Sequence, residues 1–113
     1  MNFKLTKDQI MRGSPRASRS CPIYLSISEA LSDLDVNFAV ELFELQIQDP
    51  QTYITTKKWI LPTIAQRFIS ELDNTDSLTE AGFKEKSNPF EFVVNTDFDE
   101  WLATAPRKQP TTN

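Results

Sequence analysis

The sequence predicts an α+β protein: a small antiparallel sheet, containing one long bulged strand, with helices packed on one face. Two patterns carry that expectation. Val36, Phe38, Val40 and Leu42 alternate with polar or small residues, the period of two that belongs to a half-buried strand. Stretches after Pro22 and Pro62 place apolar residues on a 3.6-residue period instead, as helices do. The 113 residues are 39% hydrophobic and 25% charged, ordinary values for one globular domain. A chain of this size buries roughly two thirds of its unfolded surface, enough for a core without metals or disulfides. The domain is expected over residues 1–105. Residues 106–113 have no apolar side chain to bury and are expected to be a disordered tail.

Taken in order, Asn2–Leu5 alternates around Phe3 and Leu5 and predicts a short edge strand. Thr6 is a good N-cap for a helical turn over Lys7–Arg12, and Gly13 is a good stop. Ser14–Ser20, with one proline, three serines and two arginines, reads as loop. Pro22 suits the first turn of the next helix, capped by Ser20 or Cys21, with Ile23, Ile27, Ala30 and Leu31 on one stripe. From Val36 to Gln48 the alternation changes phase at Leu42–Phe43, after which Phe43, Leu45 and Ile47 form the apolar set. A one-residue phase change inside a strand is what a β-bulge produces, so a bulge is expected at Leu42–Phe43. Asp49–Gln51 should turn the chain, and Thr52–Ile60 should return as the hairpin partner. Pro62 opens a helix with Ile64, Ala65, Phe68, Ile69 and Leu72 on one side. Asn74–Asn88 shows no sustained period and is expected to be a long loop. Phe90–Val94 reads as a strand. Thr96 with Asp99 imitates a capping box for a short last helix.

Composition narrows the chemistry. No histidine is present, which removes imidazole as a general base, as a triad member and as a metal ligand. With two glycines, a glycine-rich phosphate loop is not expected. One cysteine allows neither an internal disulfide nor a cysteine metal cluster and suits a reducing compartment. The N-terminus lacks the apolar run of a signal peptide and no long apolar span occurs, so the expected location is the cytoplasm, away from membranes. Charge is divided unevenly. Residues 1–20 hold five basic side chains against Asp8 alone, whereas residues 21–106 hold five against fifteen acidic ones, within a net charge of −4. An acidic body disfavours direct nucleic-acid binding, because phosphate contact needs clustered cations.

Gly13 with Cys21-Pro22-Ile23, then Leu61-Pro62 opening a helix through Phe68-Ile69 to Asp73, then Pro89-Phe90-Glu91-Phe92, resemble a group of small proteins. These are uncharacterised reading frames of tailed bacteriophages and prophages, and the resemblance spans about residues 6–94. It brings no activity. It implies an accessory protein acting on host machinery or on phage development.

Few residues invite a functional role. Arg16, Ser18, Arg19 and Ser20, ahead of the helix at Pro22, could hold a phosphate or carboxylate, since first-turn amides favour anions. The plainer reading is a solvated loop whose arginines pair with the acidic body. Cys21 stands where a helix start would lower a thiol pKa, yet without a base it reads better as a buried structural residue. Asp97, Asp99 and Glu100 suit a helix N-terminus for dipole reasons alone and are not read as a metal site. Trp59 is expected in the core, and Trp101 is either a lid on the sheet or, with Phe98, Asp99 and Glu100, a face for a partner protein.

These observations favour a non-enzymatic interaction protein with no metal or cofactor. It would bind a host or phage protein through its acidic surface, which could imitate nucleic acid toward a basic target. The alternative is a binder of a nucleotide or other small anion at Arg16–Ser20.

Overall fold

The computed structural model describes residues 1–109. In chain order they form β1 (Asn2–Leu5), α1 (Lys7–Arg12), α2 (Pro22–Ala30), β2 (Phe38–Glu41), β3 (Glu44–Gln48), β4 (Thr55–Ile60), α3 (Thr63–Asp73), α4 (Glu80–Lys86), β5 (Phe90–Val93) and α5 (Thr96–Leu102). The α+β class is as expected, but the strands divide into two antiparallel sheets, β1-β5 and β2-β3-β4.

In the three-stranded sheet the large apolar side chains share one face, while Ala39, Gln46 and Gln48 are buried on the other. Phe38 stands opposite Ile47, Val40 opposite Leu45, and Leu45 opposite Trp59, so one face carries the buried apolar set. The expected phase change at Leu42–Phe43 is real, but its cause is not a bulge. The pairing of Glu41 with Glu44 leaves Leu42 and Phe43 as a two-residue hairpin turn, and the long strand is two strands. A tight turn resets the alternation as a bulge does, because the returning strand starts again from its own partner. The irregularity of register lies elsewhere, between β3 and β4 at Ile47–Gln48.

α5 joins the sheets through aromatic rings. Phe98 packs on Phe3 of the small sheet at 6.0 Å and on Trp59 of the large one at 4.9 Å. Trp101 follows one turn later against Trp59 and, edge-on, Phe38. Asn95 caps this helix by accepting the Phe98 amide, in place of the cap expected at Thr96. α1 begins and ends as read: Thr6 and Gln9 complete a capping box, and Gly13 closes the helix. Gly13 is also required sterically, since a Cβ there would lie 2.4 Å from the Pro22 ring. In α2, Ile23, Ile27 and Leu31 are buried, whereas Ala30 faces outward and Ser26 takes an inner position by donating to the Ile23 carbonyl.

One expectation, the Asn74–Asn88 loop, fails through contact with distant chain. The Asn74–Asn88 loop contains α4, whose lysine reaches back to α1. Lys84 is 7% exposed and donates to the carbonyls of Met11 and Gly13, while Lys7 donates to the carbonyls of Lys84, Glu85 and Ser87. Each helix therefore ends on a lysine supplied by the other, which satisfies its free carbonyls. The tail expected from Pro106 is paired where it begins. Asp35 donates to Pro106 and Lys108 donates to Asp33 through the backbone, and the Arg107 guanidinium meets the Asp33 carboxylate at 2.7 Å. Residues 110–113 of that tail lie outside the described residues. Among the described residues, no helix is long and apolar enough to cross a membrane.

Candidate functional site

The β2–β3 turn breaks two rules of hairpin chemistry at once. Leu42 and Phe43 have φ of 53° and 61°, the signature of a type I′ turn, which usually takes Asn-Gly. A branched or aromatic L-residue in that region costs about 1–2 kcal/mol, because Cβ crowds the following carbonyl. Both side chains also point outward: Leu42 is 85% exposed and Phe43 41%. Glu41 and Glu44, directly opposite at the base of the turn, add like charges at close range. Gln46 donates to Glu44 at 3.1 Å and Lys58 lies 3.9 Å from it, while Glu41 receives only a 3.5 Å bond from Gln48.

This turn forms one wall of a groove of about 600 Å³. Val40, Glu41, Leu42 and Phe43 form that wall, and Ile69 and Asp73 of α3, the Arg16–Ser18 loop and Cys21 line the rest. The groove exists because the loop is pinned at both sides. Val40 donates its amide to Ser18 at 2.8 Å, turning the outer edge of β2 toward the loop, and Arg16 donates its amide to Asp73 Oδ1 at 2.7 Å.

The arginines expected to hold an anion are engaged within the chain. Arg16, itself at φ 57°, sends its guanidinium to the carbonyls of Asp73 and Thr75 at 2.7 and 2.9 Å, where it closes the C-terminal end of α3. Arg19 donates to Asn37 Oδ1 and Gln48 Oε1 at 3.0 and 2.6 Å and lies 4.7 Å above the Tyr53 ring. Ser18 and Ser20 use their carbonyls for Val40 and Ser14. The first turn of α2 is capped by Cys21, whose Sγ accepts the Tyr24 amide at 3.4 Å. Arg16 and Arg19 thus brace the loop against α3 and the large sheet. Cys21 is buried, and desolvation pushes its thiol up to about 11, the opposite of an activated nucleophile.

The aromatic half of the second expected face is withdrawn from solvent. Phe98 is fully buried, Trp101 is a half-buried lid over Phe38 and Trp59, and Asp99 receives the N-terminal ammonium. Of Phe98, Asp99, Glu100 and Trp101, the Asp99 carboxylate and Glu100 remain exposed. The Leu42–Phe43 tip was missed as a site because its apolar residues fit an ordinary strand. The phase change was its signal. Compared with protein-family models, curated proteins and solved structures, the chain finds no match.

Proposed function

We propose that this chain is a non-enzymatic interaction protein, a phage-type accessory factor that binds a macromolecular partner, most directly a protein. The observation that carries the reading is the Leu42–Phe43 tip, where two large apolar side chains are held outside the core by a turn that disfavours them. Strain of this kind persists where surrounding structure imposes it, and it concentrates at functional positions. Aromatic and aliphatic side chains beside a groove are also the groups that anchor protein interfaces. The phage-type part of the reading, and a place in the host cytoplasm, rest on the motif resemblance and on composition. Small-anion binding at Arg16–Ser20 is the weaker reading, since both guanidiniums already have partners.

The test compares immobilised wild-type chain with a Leu42→Asn/Phe43→Gly variant in host lysate, followed by calorimetry with each purified candidate. The wild type should bind a partner with at least tenfold higher affinity than the variant. Equal affinities would overturn the reading.

A further inference from the structure

The groove beside the tip has a chemical character as well as a shape. Its apolar floor and wall, from Val40, Leu42, Phe43 and Ile69, suit one or two aliphatic or aromatic side chains. Its two carboxylates, Glu41 and Asp73, have no ion-pair partner among the described residues, and Asp73 Oδ1 accepts only the Arg16 amide. Arg16 does not neutralise them by pairing, because its guanidinium is turned to the carbonyls of Asp73 and Thr75. Glu44, opposite Glu41 at the base of the tip, is offset by Lys58 at 3.9 Å, which leaves Glu41 as the hairpin's uncompensated acid. An acidic peptide or a phosphate group would meet these carboxylates as like charges, whereas a cation would relieve the Glu41–Glu44 opposition.

We infer that the groove takes a short linear segment of a partner protein in which apolar side chains are flanked by lysine or arginine. This rests on the protein-binding reading above and adds the chemistry of the partner. The apolar side chains fill the space between Phe43 and Ile69, and the flanking cations meet Glu41 and Asp73. Acids at the rim then select the partner and speed its encounter, while the apolar contacts hold it.

Fluorescence anisotropy with three labelled peptides tests this on the full chain: two leucines flanked by lysines, the same flanked by glutamates, and a lysine-flanked version with serines for leucines. The lysine–leucine peptide should bind at least tenfold more tightly than either control, weaken as salt rises, and lose threefold or more in affinity with Glu41→Gln. Glu91→Gln, on the other sheet, should leave binding unchanged and serves as the charge control. Binding of the glutamate-flanked peptide as tight as its lysine counterpart, or an unaffected Glu41→Gln, would overturn the partner chemistry while leaving a protein-binding tip intact. No binding by any peptide would overturn the inference. Sedimentation that shows a dimer lost in Leu42→Asn/Phe43→Gly would assign the groove to a second copy and overturn it as well.

Discussion

The arginine loop and the Leu42–Phe43 turn line the same groove and depart from expectation in opposite directions. In the loop, charged side chains that should be free for a ligand are spent on hydrogen bonds within the chain, although Arg16 stays exposed and Arg19 is half-buried. Arg16 closes α3 and Arg19 braces the outer face of the large sheet against Asn37 and Gln48. In the turn, apolar side chains that should be buried are turned outward, on a backbone that disfavours them. The first departure adds stability and consumes the groups that could bind a ligand. The second gives up stability and leaves the groups that could bind one uncovered. The difference teaches that charge in a loop is poor evidence of an anion site when helix ends are nearby, since free carbonyls compete for the same cations.

The largest effect expected on the stabilising side lies in the paired lysines below the loop. Lys84→Met keeps the length of the side chain but leaves the Met11 and Gly13 carbonyls without their buried donor. A loss of about 1–3 kcal/mol in a urea titration is expected, the cost of orphaning buried acceptors. An unchanged midpoint would show that α1 and α4 do not depend on this exchange.

A smaller loss is expected from Arg16→Ala with Arg19→Ala, about 1 kcal/mol in the same titration, because these bonds are partly solvated. Phosphate at millimolar concentration should protect neither the wild type nor the variant against thermal unfolding. Phosphate-dependent stabilisation of the wild type alone would restore the anion-site reading and erase the contrast with the turn.

The smallest effect is electrostatic. The Arg12 guanidinium, with help from Gln9, holds the Glu29 carboxyl below its ordinary value of 4.5, and backbone amides do the same for Asp49 and Asp76. A carboxyl depressed in the folded state contributes stability above its unfolded pKa and loses that contribution as pH falls through the folded value. The melting temperature should therefore fall as pH drops below about 4, where model carboxylates titrate. Glu29→Gln should lower it at neutral pH and flatten the acid limb. A Glu29→Gln profile parallel to wild type would remove this ion pair from the account.

Local chemistry was legible in the sequence and long-range chemistry was not. Thr6 and Gln9, Pro22, and the alternation of Phe38 and Val40 act on neighbours within a few residues, so caps and faces could be read directly. α4 could not be read, because its seven residues have no apolar period and are held by Lys7, far away in the chain. The same holds for Arg16, whose partners are Asp73 and Thr75. The candidate site was half-visible. The phase change at Leu42–Phe43 pointed to the position, but a type I′ turn without Asn or Gly is a choice that local propensity argues against. Such conflicts between local preference and global structure are expected where function imposes a cost.

That cost can be measured directly in the Leu42→Asn/Phe43→Gly variant, by urea denaturation alongside the wild type. If the turn carries strain for the sake of an exposed apolar tip, the variant gains about 1 kcal/mol, since Asn-Gly is the preferred pair for these angles and the strain relieved at both positions exceeds the partial burial lost with Phe43. A variant less stable than the wild type by 1 kcal/mol or more would mean that Leu42 and Phe43 serve the fold, and would contradict the account.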